Sequence, residues 1–317
     1  MVRQPQPEMT SRRELFDYLE ERMNVSYHQI LGNRKLDKET TALKTYLLEH
    51  TWEPKRLGND EISHITSTLA MSPSISPKRR SSGTPRVVET DEHGFYTVTW
   101  PESGTAPRLY LDTISDPERR FWIGYSLSDA TEMDNILEKL ANAQASFDRV
   151  WLWPHLLTET QALGDFRGVG IEYDYRRFDL HSREVDSQDY LSIQLWGGEE
   201  TKEIIDAIAA NPKFRRKLVI SKVRMKYHDS NDYNLFAVED LKYNGKLTTK
   251  GSSFSTHQYL TARLRDTYAK KITQIEKNHT SYDSHTLGDG LREPIWRPQR
   301  PPRKRRGPAR ASPWPGR

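Results

Sequence analysis

The sequence predicts an α+β protein in which duplicated strand-helix-strand-strand units form a mostly antiparallel sheet with helices on one face. Residues 123–127 and 191–195 both alternate in the manner of a half-buried strand, at a shift of 68 positions. The same shift aligns a helical pattern and two further strand-like segments in each copy. A repeat at a fixed period indicates an internal duplication, although strand–helix–strand units also share such patterns without common origin.

The two copies span about residues 121–175 and 190–243. In each, the apolar residues of the second segment follow helical spacing, and acidic or hydroxyl residues that can cap a helix precede them. The aligned helical residues are Ile136, Leu137 and Leu140 in the first copy and Ile204, Ile205 and Ile208 in the second. Two strands follow each helix, so each copy should contribute three strands to the sheet.

Alternation along these strands assigns their side chains to two faces, one packed on helices and one facing away. The second face should carry large aromatic residues and one carboxylate in each copy. The candidate ligand-binding residues on it are Trp122, Trp151, Trp153, Glu172, Tyr190 and Glu239. A carboxylate among aromatic rings can hold a cation, which predicts a groove for a small cationic or aromatic ligand or for a protein partner. Alternatively, a second layer covers this face and the tryptophans are core residues.

The duplicated pattern over residues 121–240 resembles, at the level of fold, the tandem module of the GyrI-like small-molecule-binding domains. That family carries a glutamate and aromatic residues in the groove between its copies. The resemblance implies a binding role for Glu172 and Glu239, but a shared fold does not fix a function.

Three short helices are predicted in residues 1–70. The first follows a capping box that starts at Ser11, the second begins near Asp37 and carries Leu43, and the third begins near Asn59. Three such helices can form a DNA-binding helix-turn-helix domain. Lysines and acidic residues are mixed here, however, which favours a helical interaction module.

Residues 71–88 are rich in proline and serine and are predicted to be a disordered linker. The duplicated domain is expected over residues 89–280. It should include a hairpin formed by residues 95–111, a second hairpin that turns at Asn244–Gly245, and a C-terminal helix at residues 253–278.

Positive charge is concentrated at the C-terminus. The chain carries +4, whereas residues 292–317 carry eight Arg, one Lys and one Glu, so the remainder has a net charge of −4. Residues 281–317 are rich in proline and arginine and are predicted to be a disordered tail. The densest basic run, Arg303, Lys304, Arg305 and Arg306, is the candidate nucleic-acid-binding segment, because counterion release needs clustered cations.

The chain has no cysteine, which excludes disulfides and thiolate metal sites and is typical of a reducing compartment. It also has no long apolar run and no secretory signal. We therefore expect a cytoplasmic location and no association with a membrane. His257 is expected at the surface. No cofactor is predicted.

The leading expectation is therefore a non-enzymatic intracellular binding protein. One enzymatic alternative is a Mg²⁺-dependent nuclease, because Asp232, Asp240 and Lys242 have the acidic-x-Lys spacing of such enzymes. A third alternative is a structural subunit of a larger prokaryotic complex.

Overall fold

The structure, a computed structural model, describes residues 9–32, 43–50, 61–70, 84–101, 106–144, 146–173, 191–211, 219–229, 231–286 and 292–298. The chain divides into two compact units, residues 1–265 and 266–317. The described helices are α1 (Arg12–Gly32), α2 (Glu61–Thr68), α3 (Ala130–Ala143), α4 (Pro154–Thr160), α5 (Glu199–Ala210) and α6 (Phe254–His279). The described strands are β1 (Leu43–His50), β2 (Arg86–Glu89), β3 (Phe95–Thr99), β4 (Arg108–Asp112), β5 (Phe121–Ser126), β6 (Phe147–Arg149), β7 (Asp165–Tyr173), β8 (Leu191–Trp196), β9 (Val219–His228), β10 (Phe236–Lys242), β11 (Lys246–Gly251), β12 (Thr280–Thr286) and β13 (Arg292–Pro298).

One sheet of eleven strands organises the first unit. Its order is β2-β3-β4-β5-β1-β11-β10-β9-β7-β8, and β6 pairs with the end of β1 beside β11. Neighbouring strands in this sheet are antiparallel. The α+β class and the mostly antiparallel sheet are therefore confirmed.

Strand β1 lies near the centre of the sheet, where the sequence predicts a helix. Its register joins Tyr46 to Lys246 of β11 on one edge and to Gly124 of β5 on the other. Every residue of β1 except Glu49 is buried. Because both faces of β1 are buried, its apolar residues do not alternate, and Leu43, Tyr46 and Leu47 match helical spacing instead. The prediction of a second helix carrying Leu43 is wrong, and with it the three-helix arrangement.

Helix α3 packs on one face of the sheet, here named the α3 face. Asp129 caps the helix by accepting hydrogen bonds from the backbone N–H groups of Thr131 and Glu132. Below it, alternate residues of four strands, one residue of α2 and the residue that follows α2 complete an apolar cluster. The cluster includes Met133, Ile136, Leu137 and Leu140 of α3, Ile65 and Leu69 near α2, and Tyr46, Leu48, Tyr96, Val98, Leu109, Leu111 and Trp122 of the sheet.

Helices α1 and α6 pack on the opposite face, here named the α6 face. The ring centroid of Phe16 in α1 lies 6.2 Å from that of Phe95 and 5.8 Å from that of Tyr125, and Phe254 of α6 lies 5.7 Å from Tyr125. Helix α5 also lies on this face, since Lys202 Nζ is 5.2 Å from the ring of Phe166. Helices therefore cover both faces, and the expectation of helices on one face is wrong.

The two predicted copies share part of their topology. In the first, β5 and β6 flank the antiparallel strand β1, and helix α3 connects them. In the second, β8 and β9 flank β7 in the same way, and α5 connects them. The strand that ends each copy is not equivalent, because β7 pairs with β8 and β9 whereas β10 pairs with β9 and β11. The strand–helix–strand core repeats, and the fourth segment does not.

Both predicted hairpins are present. Strands β3 and β4 pair over residues 95–112, and β10 and β11 are joined by a turn in which Gly245 has a φ of +72°. This left-handed conformation favours glycine. In the second unit, β12 and β13 form a two-stranded antiparallel sheet within the segment expected to be disordered. Residues 71–83 of the linker and 299–317 of the tail lie outside the described residues.

Candidate functional site

The structure does not bring together the five predicted groove residues that it describes. Trp122 lies on the α3 face beneath α3, is 1% exposed, and stacks on His50 with ring centroids 4.5 Å apart. Glu172 of β7 lies on the same face but five strand positions away, roughly 24 Å at the usual strand spacing. Trp151 and Trp153 lie outside the strands, between β6 and α4. Tyr190 lies outside the described residues, as do Arg303, Lys304, Arg305 and Arg306.

Glu239 points to the α6 face and is completely buried. Its carboxylate oxygens lie 2.7 Å from His257 Nδ1 and accept a 2.7 Å hydrogen bond from Thr249 Oγ1. Nε2 of His257 in turn lies 2.8 Å from Thr45 Oγ1. The surface role expected for His257 is wrong, because its side chain is 0% exposed. This polar network joins α6 to three strands in the core and has no solvent-facing atom for a ligand.

The residues of the nuclease alternative are also separated. Asp232 lies in the turn before β10, where its Oδ1 accepts a hydrogen bond from the backbone N–H of Asn234. Asp240 lies in the middle of β10 and receives two hydrogen bonds from Arg224. Within the described ranges, no group of three metal-ligating side chains converges. These positions do not form the carboxylate pair that a Mg²⁺ site would need.

A different group of side chains forms a distinctive surface on the α3 face of strands β7 to β11. Cations alternate along β9 and continue onto the neighbouring strands in register. This cationic patch consists of Lys222, Arg224 and Lys226 of β9, Lys242 of β10, Lys250 of β11 and Trp196 of β8. Three carboxylates, those of Asp165, Glu172 and Asp240, share the same face, so cations exceed anions there.

Trp196 and Arg224 are the centre of the cationic patch. The guanidinium carbon of Arg224 lies 3.7 Å from the Trp196 ring centroid, and Lys222 Nζ lies 4.7 Å from it. Between β8 and β9, Gly168 provides the space for this stack. A Cβ on Gly168 would lie 2.5 Å from Cε3 of Trp196. The small residue therefore lets the indole lie close to the sheet.

Asp240 holds Arg224 in a fixed orientation. Arg224 Nε and Nη2 donate to the two carboxylate oxygens at 2.5 and 2.8 Å, a bidentate pair, and Lys222 Nζ lies 3.2 Å from Oδ2. Burial alone would raise the pKa of Asp240, but the hydrogen bond from Arg224 and the charge of Lys222 hold it below its usual value. The carboxylate is thus ionised at neutral pH and orients the two cations.

The cationic patch is accessible to solvent. Trp196 is 42% exposed, and the Arg224 side chain is 32% exposed. Ser192 and Gln194, which precede Trp196 on the same side of β8, are exposed as well, and so is Lys250. Lys226 Nζ lies 4.0 Å from the Phe236 ring at the edge of the patch. This surface can offer positive charge and an aromatic ring to the same ligand.

The sequence contains a signal for this surface. Lys222-Val-Arg-Met-Lys226 alternates cations with apolar residues, and period-two alternation places all three cations on one face. The net negative charge of residues 1–291 conceals this clustering, because it averages over both faces of the sheet and all the helices.

The fold and the cationic patch define an α+β protein built on one large antiparallel sheet with a partly exposed polar face. The chain belongs to the MJECL33-like protein family, whose model matches residues 4–295. A relative from Methanocaldococcus jannaschii, described as "Uncharacterized protein MJECL33", is 26% identical over 319 residues, covering 90% of this chain and 72% of the relative. This family, and not the GyrI-like one, is the family that the comparison shows. No helix in the described part of the chain is both long and apolar enough to cross a bilayer.

Proposed function

We propose that this protein binds single-stranded nucleic acid through the cationic patch. The observation that carries the proposal is the exposed Trp196 ring, held against the Arg224 guanidinium on a sheet face from which Lys222 and Lys226 also project. Proteins that bind single strands without sequence preference combine cations along the backbone path with aromatic rings that stack on bases.

An open antiparallel sheet favours a single strand over a duplex. Single-stranded bases can be splayed onto a sheet and stacked on its aromatic residues, whereas duplex bases are already stacked on each other. In the proposed complex, Trp196 contacts a base, and Lys222, Lys226 and Lys250 contact phosphates. Asp240 keeps Arg224 beside the indole, where it extends the planar stacking surface.

The basic run of Arg303, Lys304, Arg305 and Arg306 is a second proposed contact. It would add sequence-independent attraction to phosphates without the stacking that Trp196 provides. The two contributions separate experimentally, since the loss of a tail cation changes mainly the salt dependence and the loss of an indole changes mainly the affinity at fixed salt.

The test is fluorescence anisotropy with labelled single-stranded RNA and DNA of about 12 nucleotides, a length within the usual site size of one such surface. We expect Trp196→Ala to weaken binding by about tenfold, because stacking contributes about 1–3 kcal/mol per base. Lys226→Ala should reduce the slope of log K against log salt by about 0.7. The control is Arg13→Ala, which removes a cation that is 88% exposed on α1 and should leave binding unchanged.

The outcomes are distinct. If Arg13→Ala weakens binding as much as Lys226→Ala, the attraction is diffuse and the cationic patch is not the site. If Trp196→Ala has no effect while neutralising residues 303–306 abolishes binding, the tail alone is the contact. If the intact chain binds neither nucleic acid at low salt, the proposal is wrong.

A further inference from the structure

We infer that His50 and His64 form a binding site for one divalent transition-metal ion of the Zn²⁺, Ni²⁺ and Cu²⁺ class. Their Nε2 atoms lie 3.2 Å apart. Two imidazole ligands of one tetrahedral ion, each at about 2.0–2.1 Å from it, place their nitrogens roughly 3.3 Å from each other. The two rings therefore already have the separation that a shared ion requires.

Two separate structural elements fix this separation. His50 ends β1, where its backbone N–H donates to the carbonyl of Arg120 at 2.7 Å and its ring stacks on Trp122 with an interplanar angle of 7°. His64 lies on α2, which is anchored in the apolar cluster through Ile65. Ligands held by rigid elements lose little conformational entropy on binding, so the geometry is preorganised.

The protonation state suits metal binding. Burial, followed by the charge of His64, lowers the pKa of His50 to about 4. Burial also lowers the pKa of His64, although Glu61 opposes this. Both imidazoles are thus neutral at pH 7, as ligation requires. A neutral pair can also share one N–H···N hydrogen bond, which a metal would replace when each ring carries its proton on Nδ1.

Two other side chains with oxygen atoms lie near the histidine pair. Thr68 Oγ1 lies 3.4 Å from His64 Nε2, and Glu61, one turn before His64 on α2, is held by a 3.0 Å ion pair with Arg119. Among the residues that the structure describes, the site thus supplies two nitrogen ligands, and water would complete the shell of a bound ion. Such a site should bind Cu²⁺ and Ni²⁺ more tightly than Mn²⁺, following the general order of divalent affinities.

Titration of the full-length chain with Ni²⁺ at pH 7.5 tests the inference, with calorimetry and tryptophan fluorescence as parallel readouts. We expect one ion per chain and quenching of the emission from Trp122, whose ring lies 4.5 Å from that of His50. His64→Ala should weaken binding by about tenfold or more. His155→Ala, which removes a histidine that is 79% exposed on α4, is the matched control and should bind as the wild type does.

Trp122→Phe separates binding from its optical signal. It should retain one ion per chain by calorimetry and lose most of the quenching. The inference is overturned if the folded wild type shows no saturable binding, if His64→Ala binds as tightly as the wild type, or if His155→Ala removes the site instead. Far-ultraviolet circular dichroism of each variant establishes that it is folded.

Discussion

The α3 face of the sheet is covered over one half and partly exposed over the other. On β5, Trp122 is 1% exposed beneath α3, whereas on β8, Trp196 is 42% exposed beside Arg224. Both are tryptophans on the same face of one continuous sheet. Their different environments arise from the helices above them and not from the strands that carry them.

The handedness of the two crossovers explains this difference. Connections between parallel strands of one sheet are almost always right-handed. The β5-α3-β6 and β8-α5-β9 connections progress in opposite directions along the sheet order. Their first strands run in the same direction, so right-handed connections place α3 and α5 on opposite faces. The α3 face of β7 to β9 is therefore left without its own crossover helix.

The largest expected effect contrasts the two tryptophans. Trp122→Ala should lower the free energy of unfolding by about 3–5 kcal/mol, because it removes a large side chain from the apolar cluster. Trp196→Ala should lower it by less than about 1 kcal/mol, since the ring is largely exposed. Urea unfolding followed by circular dichroism measures both. Equal losses in the free energy of unfolding would show that the two tryptophans are buried to the same extent.

The next effect concerns the buried carboxylate on the α6 face. Glu239→Ala leaves His257 buried without its carboxylate partner, and breaking a buried pair of this kind costs about 3 kcal/mol or more. Asp232→Ala, in an exposed turn, is the matched carboxylate variant and should cost less than about 1 kcal/mol. Thermal unfolding of the two variants compares them, and a mild Glu239→Ala would argue against a structural role for the network.

A smaller effect depends on pH and is confined to the covered half. The unfolded imidazole has a pKa of about 6.5, whereas burial lowers the pKa of His50 to about 4. As the pH falls, the unfolded chain takes up a proton at this histidine before the folded chain does. The stability that neutral His50 contributes is therefore complete above pH 6.5 and is lost as the pH falls toward 4. Between pH 7.5 and pH 4.5 the loss in the free energy of unfolding should be about 2.5 kcal/mol.

His50→Phe keeps a ring on Trp122 and removes the titration. Urea midpoints at pH 7.5 and pH 4.5 should differ less for this variant than for the wild type. An unchanged difference would assign the acid sensitivity to other groups.

The smallest expected effect concerns the ion pair between Asp240 and Arg224 on the partly exposed half. Asp240→Asn should destabilise the fold by about 1 kcal/mol, because it removes the charge of a partly exposed bidentate pair. The stability that ionised Asp240 contributes is present above the ordinary pKa of aspartate. It disappears as the pH falls through the lowered pKa of Asp240 in the folded chain. The same change releases Arg224 and Lys222 and should steepen the salt dependence of nucleic-acid binding by about 0.7. A variant that is less stable and whose binding also depends less steeply on salt would contradict the role of Asp240 in holding the two cations.

Much of the fold could be predicted from local patterns. The cap at Asp129, the turn at Asn244–Gly245 and the alternation along β7 each depend on neighbouring residues, and each is present. Strand β1 could not be predicted in this way, because burial on both faces removes its alternation. The pairing of β1 between β5 and β11 is set by long-range packing that no local pattern encodes.

The candidate site was less predictable for a related reason. Alternation gives the two faces of a strand, but it does not state which face a crossover helix will cover. The assignment was correct for β8, where Ser192 and Gln194 face away from α5, and inverted for β5, where Trp122 lies under α3. Glu172 and Glu239 were paired by sequence position, yet the structure places them on opposite faces.

Lysine footprinting locates the nucleic-acid contact on the chain. The full-length chain is acetylated with and without a saturating single-stranded oligonucleotide, and modification at each lysine is quantified by mass spectrometry. We expect protection of Lys226 and Lys250 on the partly exposed half of the α3 face, with no change at Lys139, which is exposed on α3. Protection confined to Lys304 in the tail, or equal protection of Lys139, would contradict it.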